Sequence, residues 1–203
     1  MYYNIDGDVF VVISIVIYVV VKVITSIRNK SQQFNWMREI IYFLFVLYMS
    51  MVVSVTLFPL PLGDFYAVES VFRNMNVIPF RTVLLDIKQI GVAYEGDSLF
   101  MISLIARNVL GNILLLMPFG FLAPIVWKKL KSLRYTLLAG GAVSVAIEFL
   151  QLLESSLGMV GRITDIDDLI FNVLGTLVGY LIYKLFVFVV SKLNIKRLHK
   201  LVA

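Results

Sequence analysis

The chain has 203 residues, 60% hydrophobic and 15% charged, with a net charge of +5 and a mean hydropathy of +0.92. No soluble domain of this size buries so much apolar sequence, so the composition implies an integral membrane protein. Cysteine is absent and the single histidine, His199, lies in the basic C-terminal tail, which excludes disulfides, thiolate metal sites, a Cys nucleophile and a His general base inside the membrane.

The apolar runs are continuous and do not alternate, so they predict helices rather than barrel strands. After the short acidic stretch Met1 to Asp8, residues 9–27 predict a first span. It lacks a basic n-region and an A-x-A cleavage site and so reads as a retained helix, not a signal peptide. Lys22 near its far end can snorkel to the headgroups. Arg28 to Arg38 is a basic connection in which Trp36 suits the interface. Residues 40–58 predict the second span, closed by Pro59 and Pro61; at about 1.5 Å per residue it covers roughly the hydrocarbon thickness.

Residues 59–106 form the longest connection, and it is apolar for a loop. Within it Asn76-Val-Ile-Pro-Phe-Arg81 predicts a turn before a short amphipathic helix. Phe80, Val83, Leu84, Ile87 and Gly91 mark the apolar side, with Arg81 and Lys88 elsewhere. Such a helix lies on the membrane surface or acts as a lid over a site, the first being the commoner use. Leu99 to Ile105 is either interfacial or the true start of the next span. Residues 109–127 predict the third span, with Arg107 and Asn108 at its start, Asn112 one turn further in, and a kink or break at Pro118 and Gly120. Lys128, Lys129, Lys131 and Arg134 follow. Residues 135–153 predict the fourth span, carrying Gly140 and Gly141, and Glu148 and Gln151 on one face. The fifth starts near Asp168 and runs to about Val190, before a basic tail from Lys192 to Ala203. No internal repeat is visible, and residues 1–203 read as a single membrane domain.

In the fifth span Asp165, Asp168, Asn172, Gly175 and Gly179 follow one another at steps of three, four, three and four, which is one helix face. Ile166, Leu169, Ile170, Val173, Leu174 and Leu177 make the other. A polar stripe entering a membrane must face protein or a wet cavity. The Lys/Arg clusters at 28–38, 128–134 and 192–200 fall on one side of a five-span chain, and the positive-inside rule puts that side in the cytoplasm. Because these charges flank spans, they do not signal nucleic-acid binding. The N-terminus and the loops at 59–106 and 154–167 are then outside. Arg107, Asn108 and Asn112, then Glu148 and Gln151, then Asp165, Asp168 and Asn172 all come to the outer ends of three neighbouring spans, which predicts an outward polar pocket.

Each residue also has a plainer reading. Asn108 and Asn112 serve as hydrogen-bonded packing residues, Asp165 as a helix cap, and Arg162 as a partner of Asp165 or Asp168 in a surface bridge of little worth. Glu148 is harder to set aside, since an ionised carboxylate within a span costs roughly a few kcal/mol unless paired; Arg107 or Arg162 is its expected partner, or it holds a proton.

On Asn76-Val-Ile-Pro-Phe80, Arg107-Asn108-Val-Leu-Gly-Asn112 through Pro118-Phe-Gly-Phe121, Glu148-Phe-Leu-Gln151, and Gly161-Arg162-Ile-Thr-Asp165-Ile-Asp167-Asp168 with Asn172 and Gly175, the sequence resembles the VanZ-like family of bacterial membrane proteins. The resemblance covers about residues 38 to 190, and the first span, 9–27, has no clear counterpart in the shortest members. It implies a multi-pass protein of the bacterial plasma membrane that lowers susceptibility to teicoplanin-type lipoglycopeptide antibiotics without rebuilding the peptidoglycan terminus. That is a phenotype rather than a mechanism, and relatives far from resistance clusters point to a housekeeping envelope role as well.

Three function classes fit these residues. In the first, the pocket binds a lipid-linked peptidoglycan precursor or the lipid tail of the drug; Arg107 and Arg162 hold a phosphate or carboxylate, Asn108, Asn112 and Gln151 orient it, and no cofactor is needed. In the second, an intramembrane hydrolase or transferase acts on a lipid-linked envelope substrate, with Glu148 as general base and Asp168 as the other catalytic candidate. A divalent cation on Asp165, Asp167 and Asp168 is a weak signal there, because Asp167 points away from the face the other two share. The third, a proton-coupled exporter, lacks the paired halves of many secondary transporters. The binding reading is preferred. Gly111, Gly140, Gly141 and Gly179 are expected to serve helix packing within one subunit or between two.

Overall fold

The computed structural model describes residues 3–28, 35–62, 75–156 and 164–193. Among them six helices form: α1 (Gly7–Arg28), α2 (Trp36–Leu57), α3 (Arg81–Lys88), α4 (Ser98–Val126), α5 (Leu133–Ser156) and α6 (Ile166–Lys192). All but α3 are long and apolar enough to cross a membrane, as the continuous apolar runs predict. A short antiparallel pair, β1 (Tyr3–Ile5) with β2 (Leu60–Leu62), joins the start of α1 to the exit of α2. Neither three-residue strand carries an alternating pattern long enough to read in sequence.

The expected spans are all present, each longer than its apolar run, α4 by eleven residues at its start, and polar residues cap the starts of α2, α4 and α6. Asn35 accepts from the Arg38 amide at 3.3 Å to start α2, and Asp97 accepts from the Phe100 amide at 2.9 Å to start α4. That cap settles the placement of Leu99 to Ile105, which are the first turns of α4. The break expected at Pro118 is absent, for α4 runs as one helix through Pro118 and Pro124. A proline within a span is tolerated where neighbours satisfy the backbone around it; beside the Leu114 carbonyl that Pro118 leaves without its helical donor, the Tyr48 hydroxyl of α2 donates to the next carbonyl, Leu115, at 2.6 Å. At about 1.5 Å per residue α4 is roughly 44 Å long against a hydrocarbon core of about 30 Å. With Trp127 at one interface, the surplus ends near Arg107.

The most extensive packing is between α4 and α6, and small residues make it. A Cβ on Gly175 would collide with the Ile113 backbone, one on Gly179 with Met117, and one on Gly120 with Thr176. Gly140 of α5 lies against the Thr176 side chain in the same way. These are close backbone approaches of the kind small residues permit in membranes. Gly111, expected to pack, has open space around its Cβ position, and Gly141 has only ordinary contact with Val173. On the other side of α4, Phe45 and Val52 of α2 meet Leu116, Phe119 and Ala123 of α4 and Ile147 of α5 in an apolar core. The α1 helix packs on α2 and buries none of its own residues. The two are tied by an ion pair of 2.5 Å between Lys22 and Glu39.

Candidate functional site

The α6 stripe faces protein, as its position in a span requires. Asn172, Gly175 and Gly179 are buried, Asp168 is half-buried, and Leu174 on the opposite face is exposed. Its upper end is assembled by a loop that arrives from far away in sequence. Asn76 pairs with Asp165 as a parallel bridge: the Asn76 amide donates to the Thr164 carbonyl at 3.1 Å and the Ile166 amide donates to the Asn76 carbonyl at 3.0 Å. The Asn76 side chain completes the joint. Its Nδ2 donates to Asp165 Oδ1 at 2.7 Å and to Thr82 Oγ1 at 3.0 Å, and its Oδ1 accepts from the Ile78 amide. Asp165 is also the N-cap of α6, accepting from the Asp167 amide at 2.8 Å, so the cap reading and the cluster reading both hold for it.

Asp167 is fully buried and its Oδ1 accepts from the Phe80 amide. Phe80 is the N-cap of α3 in the left-handed conformation, φ 61°, a position that costs a bulky L-residue about 1–2 kcal/mol. The Asp167 carboxylate and the edge of Phe171, 6.4 Å away between centroids, hold it there. Thus α3 is anchored at its start to the head of α6, and its Leu84, Leu85 and Ile87 remain exposed. Asp86 of the same helix has its carboxyl pushed above the ordinary range, first by burial and then by the charge of Asp165.

The remaining expected residues divide. Asn112 reaches Asp168, its Nδ2 donating to Oδ1 at 2.6 Å, while Asn108 accepts from the same amide group. Glu148 is buried and its Oε2 accepts from the Asp165 amide at 3.2 Å; among the described residues the charges near it are those of Asp168 and Asp165. The cation expected beside Glu148 is therefore not Arg107, which is exposed and makes no ion pair among the described residues. Arg162 lies outside the described residues. Gln151 turns away, donating to the Thr56 carbonyl of α2 at 3.0 Å. Asn172 points deeper, donating to Ser144 Oγ at 3.0 Å, with its Oδ1 unpartnered. Among the described residues no group of three or more acidic or imidazole side chains is placed to hold a metal ion.

Two residues of the cluster have a role here that the sequence does not announce. Asn76 was visible as the head of a turn motif, but nothing in its neighbourhood announces a partner on α6. Asp167 points away from the Asp165 and Asp168 face, as its helix position predicts, and what it points at is the backbone of the Asn76 to Phe80 turn.

A family model described as VanZ/LLP1 matches residues 45–187, well over half of the chain. The chain belongs to the VanZ/LLP1 family. The match takes in α3 to α5 entire, α2 from Phe45 onward and α6 as far as Val187, hence every residue of the polar cluster, while α1 precedes it. VanZ/LLP1 membership together with five apolar helices makes this a multi-pass membrane protein, of a family linked with glycopeptide resistance. No curated protein and no solved structure matches the chain.

Proposed function

We propose that the chain is an envelope-modulating membrane protein that lowers susceptibility to teicoplanin-like lipoglycopeptides. Its polar cluster engages a lipid-linked envelope component or the drug itself. The observation that carries this reading is the Asn112–Asp168 pair. It sits half-buried between α4 and α6, beside the exposed Arg107 and Asn108. A guanidinium fork suits a phosphate or carboxylate, and a carboxylate and two amides next to it suit hydroxyl and amide groups. Asp165 and Asn76 bond each other and backbone amides, and Glu148 and Asp167 each accept a backbone amide, so their part is to hold this face together. Gln151 and Asn172 brace it, one against α2 and one against α5. The basic clusters put these residues in the outer leaflet and the C-terminus in the cytoplasm.

The alternative is a hydrolase or transferase acting on a lipid-linked envelope substrate, with Glu148 as general base and Asp168 as the other catalytic candidate. Binding is favoured because Glu148 is buried and already accepts a backbone amide.

The test uses a Gram-positive host lacking this protein. Wild type, Arg107→Gln, Asp168→Asn and Glu148→Gln are expressed at matched membrane levels, and cell-bound labelled teicoplanin is measured. Wild type is expected to lower binding, and Arg107→Gln and Asp168→Asn to lose that effect. If both variants act as wild type does, the cluster is structural and the proposal falls. Incubation of the purified protein with lipid-linked precursors separates the two readings, since only an enzyme changes their mass.

A further inference from the structure

A cleft outside the polar cluster lies at the other end of the molecule, between α1 and α2. Its volume is about 1110 Å³. Along its wall Val19, Val23, Ile27 and Ile40 give an aliphatic surface, and at its mouth stand Trp36 and Arg38. Lys22 and Glu39 cross the cleft as an ion pair, with Lys22 also 5.0 Å from the Tyr42 ring centre. Their charges are mutually occupied. Arg38 differs. It is exposed, its Nε donates to the Tyr42 hydroxyl at 2.9 Å, and it stacks on that ring at 5.3 Å. The bond at Nε fixes the guanidinium plane, and among the described residues neither terminal amino group is bonded, so both can fork an anion. Trp36, 73% exposed, is the residue type that settles at headgroup depth.

We infer that the α1–α2 cleft is a binding site for one anionic phospholipid, with its phosphate on Arg38 and an acyl chain along Val19, Val23 and Ile27. The charge and the two surfaces match that shape: an interfacial cation continuous with an aliphatic wall inside the hydrocarbon depth. The site stands largely before the residues that the VanZ/LLP1 model matches and is independent of the teicoplanin reading. The first span is then more than an added anchor, for it supplies one wall of a lipid site that α2 alone could not make.

The full chain is reconstituted in nanodiscs of phosphatidylcholine with a minor fraction of phosphatidylglycerol, and spin-labelled lipids report which headgroup is immobilised at the protein. Both leaflets have the same composition, so the result does not depend on orientation in the cell. Wild type is expected to immobilise phosphatidylglycerol over phosphatidylcholine. Arg38→Gln should lower the preference about fivefold, the worth of one basic residue at an anionic surface, and Arg38→Lys should keep most of it. Lys129→Gln, exposed at the same membrane face but outside the cleft, should lower it clearly less. Inorganic phosphate at millimolar concentration should not compete, since it lacks the chain that the wall receives. The inference is overturned if wild type shows no headgroup preference, if Lys129→Gln lowers the preference as much as Arg38→Gln, or if inorganic phosphate displaces the lipid. An unchanged melting temperature for Arg38→Gln confirms that a loss belongs to the site and not to the fold.

Discussion

Asn76 Nδ2 donates to Asp165 Oδ1 at 2.7 Å, across 89 residues of sequence. The bond is more than a local cap, because Asp165 also starts α6 and presents the amide that Glu148 accepts. Three elements therefore converge on the head of α6: the turn before α3 on the Asp165 side chain, α5 on the Asp165 amide and α4 on Asp168.

Removing the Asn76 side chain should loosen all of them together. Asn76→Ala takes away a hydrogen bond to a carboxylate, worth about 1.5–3 kcal/mol, and a lower melting temperature in detergent is expected. Asn76→Asp should be worse than Asn76→Ala, because it sets a second carboxylate against Asp165 where the amide donated. Equal melting temperatures for the two variants would show that the Asp165 contact carries no weight.

Asp86 gives a pH dependence with a definite sign. Its carboxyl is held above the ordinary range by burial and then by Asp165, so the folded state binds the proton more tightly than the unfolded state. Stability is then lost as pH rises from the unfolded value through the raised folded one, and the penalty is full above that window. Asp86→Asn removes it. Hydrogen exchange of α3 amides should slow in Asp86→Asn at neutral pH and match wild type where Asp86 is protonated in both states. Faster exchange at neutral pH would mean that the carboxylate stabilises α3 instead.

The glycines separate close packing from mere smallness. Gly175→Ala and Gly179→Ala place a methyl group against backbone atoms of Ile113 and Met117, and backbone cannot move aside as a side-chain end can. Overpacking of this kind costs about 1–3 kcal/mol and occasionally more. Gly111→Ala meets open space and should be neutral or slightly stabilising through helix propensity. Thermal melts of the three variants in one detergent decide the point.

How much of this could be read from the chain follows from what each feature rests on. The five spans were legible because about twenty consecutive apolar residues have few other uses. The stripe from Asp165 to Gly179 was legible because helical spacing is fixed and a polar face in a span has to meet protein. Its partners were not. Asn76 finds Asp165 through tertiary folding alone, and Glu148 is answered by a backbone amide, a donor every residue but proline carries and no sequence advertises. The start of α4 stayed open for a related reason. Leu99 to Ile105 suits an interface as well as a span, and only the cap at Asp97 chooses. Gly111 does not pack within the chain, because small residues permit close approach without requiring it.

Orientation is the remaining inference from composition, and the absence of cysteine makes it direct to test. Gln89 follows α3 and Lys129 follows α4, so the two flank a helix of 29 residues from opposite ends. The Lys/Arg distribution puts Gln89 outside and Lys129 inside. In Gln89→Cys a membrane-impermeant maleimide should label intact cells, and in Lys129→Cys it should react only after lysis, against a wild-type chain that gives no background. Labelling of both from outside would mean that α4 does not cross the bilayer, and the convergence of Arg107, Asn112 and Asp168 at an outer surface would fail with it. The reverse pattern would keep the cluster but turn it toward the cytoplasm, where an antibiotic acting outside the cell never reaches it, and the envelope reading would have to be abandoned while the geometry stood.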